Sequence, residues 1–146
     1  MSLPFSHPRN VITACAAALC LVSSAALAED TVSVPLLTTS KTILGQPLAY
    51  PTTGKAVVLA RTTTFPPGSS TPPHRHDVPL LTYILEGVLT IDYGPDGVKS
   101  YKPGEFYIEA IGSTHTGKNL GSVPVKILAV YLGAEGSENT TLVPHH

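Results

Sequence analysis

His74 and His76 stand one residue apart in the stretch Pro72–Pro79, and His115 follows about forty residues later. A neutral imidazole offers one lone pair to a metal ion, and three together suit Fe, Zn, Cu, Ni or Mn. In an extended segment residues i and i+2 leave from one face, so His74 and His76 project together while Arg75 projects from the other. If that face lines a cavity, the two rings converge on one point. Between residue 29 and the terminal pair His145–His146, His115 is the one further histidine able to complete a set of three. The bland alternative is that the three are polar packing residues. Burying imidazoles without partners costs on the order of several kcal/mol, which favours a metal.

Strands must position these side chains. After residue 28 Val, Thr, Ile and Tyr are abundant, Pro and Gly recur at short intervals, and no ten-residue segment carries helical periodicity. Segment 55–65 reads as a strand and 65–73 as a stiff loop, because proline fixes φ and offers no N–H to a sheet. Segment 80–94 reads as two strands around Glu86-Gly87, with a tight turn at 95–97 and further strands at 98–101, 105–110 and 123–132. Residues 29–54 read as an N-terminal arm with short strands, and 136–146 as a loose polar tail. Many short strands at regular spacing make a sandwich or a barrel, here over residues 55–135.

The first 28 residues read differently. Arg9 precedes an apolar run rich in Ala and Ser, which ends in Ala26-Leu27-Ala28 and then Glu29-Asp30. That order is expected of a signal peptide cleaved after Ala28, which implies export to the periplasm or beyond and no membrane span once it is removed. Ile12-Thr13-Ala14-Cys15 has the look of a lipobox, but it leaves almost no apolar segment ahead of Cys15. Both cysteines, Cys15 and Cys20, belong to this leader, so the mature chain is expected to have neither disulfide nor thiol chemistry. With 9 Lys and Arg against 10 Asp and Glu scattered singly, no basic face exists for nucleic acid or an anionic membrane.

The spacing of these residues resembles the two motifs of the cupin superfamily. Gly68, His74, His76 and Gly87 follow the first motif, and Gly104, Gly112, His115 and Asn119 follow the second. The resemblance spans residues 68–119 and implies an all-β, double-stranded β-helix or jelly-roll barrel with a metal inside it, held by His74, His76 and His115. Two positions depart from the pattern. The glutamate of the first motif is Leu80 here, and the proline of the second is Ala110. Losing the glutamate removes one expected ligand, so the chain is more similar to three-histidine cupins, a group that includes thiol and β-diketone dioxygenases.

Glu109 occupies a position that in cupins is usually apolar and points into the barrel. A carboxylate there could ligate the metal, accept the N–H of a ligand histidine, or take a proton from substrate, with a role behind the ligands favoured over direct ligation. Two functions remain open at this point. One is dioxygenase-like turnover of a small organic molecule at a mononuclear metal, Fe first, with Glu109 as the catalytic group. The other is capture of a small ligand or metal without turnover. Glu109 turned inward favours the first. Asn119 is expected to bond backbone, and Tyr83, Tyr93 and Tyr107 to be packing residues. The resemblance further implies a homodimer paired through the N-terminal arm.

Overall fold

The computed structural model describes residues 30–144, so the leader 1–28 and the pair His145–His146 lie outside the described residues. From Val34 onward the chain forms one unit. Its described strands are β1 (Ala56–Phe65), β2 (His74–Arg75), β3 (Leu80–Glu86), β4 (Leu89–Asp92), β5 (Val98–Tyr101), β6 (Phe106–Ile108), β7 (Thr116–Lys118), β8 (Val125–Ala134) and β9 (Thr141–Leu142). The expected tight turn is a single 3-10 turn at Gly94–Asp96. Strands β1, β8, β3 and β6 form one antiparallel sheet in that order, β5, β4 and β7 a second, and β2 pairs with β9.

Alternation explains the layers. In β8 every second residue is buried, and in β3 Leu80, Thr82 and Ile84 share the buried face. Their apolar side chains meet Leu89 and Ile91 of β4, and Tyr93 just past it, in one apolar core. Ile84, Leu89, Ile91 and Val125 are almost wholly buried, and each contributes about 1.5–3 kcal/mol by leaving water. Strand β1 breaks the alternation. It is an edge strand whose inward side chains pass from buried Phe65 to Leu59, 39% exposed, so the barrel opens at that end.

Two expectations at the chain ends need correction. Residues 29–54 do not carry short strands where they are described; the isolated bridge Lys41–Pro47 is the sole pairing there. Pro47 lacks an N–H and the chain turns at Gly45, φ +80°, so a ladder cannot extend. The segment is tied to the barrel by other bonds, Ile43 N–H to the Ile108 carbonyl at 2.7 Å and the Gln46 side chain to both the N–H and the carbonyl of Ile111. The tail after residue 136 is not loose. Thr141 and Leu142 pair as β9 with Arg75 and His74, because β2 would otherwise present an unpaired edge.

Gly87 links β3 to β4 at φ +70°, and a Cβ there would lie 2.6 Å from the Pro124 carbonyl oxygen. Gly87→Ala is therefore expected to cost at least about 2 kcal/mol in urea denaturation, the left-handed backbone and the clash adding together. Gly94→Ala, at φ +61° with nothing within 4 Å, should cost only about 1 kcal/mol.

Candidate metal centre

The histidines are brought together by backbone pairing. His74 N–H donates to the His115 carbonyl at 3.0 Å and His115 N–H returns to the His74 carbonyl at 2.8 Å. Residues that exchange both bonds sit directly opposite, with side chains on one face. Gly112, two residues past Ala110 and at φ +71°, donates its N–H to the His76 carbonyl at 2.8 Å. The second motif is thereby stitched along the first. Ring centroids of the three imidazoles lie 4.4–5.2 Å apart, with His76 and His115 each 3% exposed. Arg75 projects outward to Asp77, as parity requires.

Each ring is aimed by a peptide carbonyl. His74 Nδ1 donates to Pro72 O at 2.9 Å, His76 Nδ1 to Asn139 O at 2.8 Å, and His115 Nδ1 to Ser113 O at 3.0 Å. A carbonyl can only accept, so every Nδ1 carries the proton and every Nε2 is the nitrogen left for a metal. One ligand atom from each ring lies within 4.8 Å of the others. This donor set fits a divalent transition metal.

Glu109 is buried and turned inward. Its Oε2 lies 2.7 Å from His115 Nε2 and 4.0 Å from His76 Nε2. The orienting role behind the ligands, which the sequence favours for Glu109, is thus filled by the three carbonyls; the carboxylate sits on the Nε2 side instead. Hydroxyls of Thr82, Tyr93 and Tyr107 donate to it at 3.4–3.5 Å. Burial, then the negative Glu109, raises both tyrosine pKa values, so these hydroxyls stay protonated donors. Burial lowers His74 and His76 and keeps them neutral. For His115 burial also pulls down, but the hydrogen bond and charge of Glu109 outweigh it and the pKa rises. Burial pushes Glu109 up, and the bond to His115 outweighs that in turn, so its pKa falls. Without metal the two form an ion pair.

Residues 61–131 match the sequence model of the Cupin domain. They form a cupin domain. By sequence, none of the curated proteins matches the chain. Among solved structures it is similar in fold to the DMSP lyase DddQ from Ruegeria pomeroyi, at 20% identity and TM-score 0.52, covering 59% of this chain and 43% of the lyase. Oxalate oxidase, in complex with the substrate analogue glycolate, gives 21% identity and TM-score 0.51 over 60% of this chain and 46% of the oxidase. An uncharacterized double-stranded β-helix protein from Klebsiella pneumoniae gives 20% identity and TM-score 0.50 over 66% of this chain and 86% of that one. The chain thus spans less than half the length of the lyase and of the oxidase.

Against the cupin motifs, the carboxylate has moved across one strand. Leu81 pairs with Ile108, so Leu80 and Glu109 face each other in register, joined by Glu109 N–H to Leu80 O at 2.9 Å. Both side chains line the same cavity as the histidines. Asn119 bonds backbone as expected, its Nδ2 donating to Phe65 O at 2.9 Å and Val123 O at 2.8 Å. Sequence reasoning missed Arg61 and Tyr131 in the cavity wall and the Asn139 carbonyl on His76. Arg61 shares strand parity with Leu59 and Phe65, a signal that was available; nothing in the polar tail marks Asn139.

In the metal-free protein Glu109→Gln should carry the His115 titration from above the ordinary imidazole value of 6.5 to below it, read from the ring proton by NMR. The His115 part of the pair's stabilisation is complete below pH 6.5 and fades as pH rises through its raised pKa. The Glu109 part is complete above pH 4.5 and fades as pH falls through its depressed pKa.

Proposed function

We propose that this cupin is exported, holds one divalent transition metal on the Nε2 atoms of His74, His76 and His115, and carries out dioxygenase-like chemistry on a small organic molecule. The observation that carries the reading is the convergence of three carbonyl-aimed imidazoles with a buried carboxylate beside their Nε2 atoms. Fe is the metal first expected, and the same donors accept Zn, Mn, Ni or Cu. When bound, such a metal supplies Lewis acidity and, as Fe, electrons for O2 chemistry.

The chain's own residues supply the rest. Pro72, Asn139 and Ser113 carbonyls hold the rings in place. Glu109 Oε2 takes a proton from the substrate, and its tyrosine and threonine donors keep it aimed. Leu80, Leu89, Ile91 and Ile127 exclude water from the cavity. Glu109 turned inward, with its carboxylate at the metal-facing nitrogens and within reach of a bound molecule, favours turnover over capture alone.

Each of His74→Ala, His76→Ala and His115→Ala should lower metal affinity at least about tenfold, below stoichiometric retention, while far-UV circular dichroism stays unchanged because the core is packed without the metal. Arg75→Ala should retain the full complement. Oxygen uptake with the Fe-loaded chain, screened over small acids, thiols, diketones and phenols, checks the reaction. Full metal in all three histidine variants, or uptake untouched by Glu109→Gln, contradicts the reading.

Export and pairing belong to the same proposal. The leader 1–28 directs export, and Val34 and Leu36 of the arm, 75% and 61% exposed, together with Val58 of edge strand β1, 64% exposed, supply an apolar surface for a second copy. The mass of protein from its native host should correspond to a chain beginning at Glu29, and light scattering should give a dimer that loses its partner when residues 29–39 are removed. A chain still beginning at Met1, or a monomer with the arm intact, would overturn this part.

A further inference from the structure

Among the residues lining the cavity, Arg61 is the charged side chain that the proposed chemistry leaves unused. It lies in β1 directly opposite Ala129 of β8, so it shares the inward face with Ala129 and, diagonally, Tyr131. Its Nη2 donates to the Tyr131 hydroxyl at 2.7 Å, and the guanidinium carbon lies 5.1 Å from the Tyr131 ring centroid. Tyr131 is 2% exposed and its ring meets that of His76 at 67°, the centroids 5.6 Å apart. The cation is thus tethered at the open end of the cavity by a buried aromatic that also touches a candidate ligand.

No carboxylate of the described residues lies within 4.0 Å of Arg61. A guanidinium presents five N–H donors in a planar fork, and the Tyr131 bond occupies one of them. The remaining walls are mostly apolar, with Leu80, Leu89, Ile91, Ile127 and Ala129 among them. A divalent ion beside the single carboxylate of Glu109 leaves a net positive charge, to which Arg61 adds. In so apolar a space that favours an anion over a neutral molecule. A cavity of about 80 Å³ admits only a small one.

We propose that Arg61 is the specificity-determining residue of this site and selects a small organic carboxylate, the guanidinium fork receiving the carboxylate at the mouth while the rest of the molecule reaches toward the histidines. The inference rests on the metal-centre reading for what happens at the far end of the ligand, but the anion site itself consists of Arg61 and Tyr131.

The probes are propionate and its neutral amide, propionamide, titrated calorimetrically into the full chain, both Zn-loaded and metal-free. Propionate should bind the Zn-loaded chain at least about tenfold more tightly than propionamide. Arg61→Gln should erase that preference with Zn stoichiometry unchanged, Arg61→Lys should recover part of it, and Lys55→Gln, on the exposed Lys55–Glu135 pair, should leave it intact. A carboxylate held by the metal alone would bind wild type and Arg61→Gln equally, and that result overturns the proposal. So does equal binding of the two probes to wild type, or no binding of propionate. If the wild type takes up no Zn, the metal-centre reading fails by itself. The metal-free chain then decides, since a preference for propionate that Arg61→Gln abolishes sustains the anion site and its absence ends it.

Discussion

The reciprocal backbone bonds between His74 and His115, 3.0 and 2.8 Å long, are the constraint on which the rest of the site depends. They join a segment that follows a proline-stiffened loop to the start of β7, two stretches far apart in sequence. Once the pair is in register, His76 falls on the same face two residues on, and Gly112 meets its carbonyl. A slip of one residue would turn His74 and His76 outward and bring Arg75 in, because side chains alternate along a strand. The residues flanking 74–76 prevent that slip from both sides, β9 on one edge and 111–115 on the other.

Charge placement follows from the same pairing. A carboxylate deep in an apolar barrel is costly unless a cation or donors receive it. Glu109 meets that condition twice over, with a protonated His115 against it in the metal-free protein and three hydroxyls around it. Leu80, directly across the strand pair, supplies apolar volume where the cupin pattern has its glutamate. The count of carboxylates facing the histidines is thereby kept at one, although the residue that provides it stands on a different strand.

Much of this is legible in the sequence. The parity of His74, Arg75 and His76, the gaps to His115 and the Gly residues pointed to a cupin barrel, and the alternation of 80–86 and 125–134 marks the strands that wall it. What resisted reading was cross-strand register. That Glu109 faces the metal-side nitrogens follows from Leu81 opposing Ile108, a pairing no local pattern encodes. Strand β1 is legible as a strand, but the apolar residues 56–60 lie exposed on both faces, so its sequence does not mark Arg61 as facing the cavity. The short strands β2, β7 and β9 escaped because two or three residues carry no periodicity of their own.

The hold of Asn139 on His76 makes a short polar segment a condition for the metal set. Both motifs and β8 precede residue 139, so they supply every ligand histidine without it. Until that segment docks, the His76 ring lacks the carbonyl that fixes its tautomer, and β2 lacks the partner strand β9. The three donors are a matched set only with residues 139–142 in place. A stretch that offers no ligand of its own thus governs whether the third nitrogen is presented.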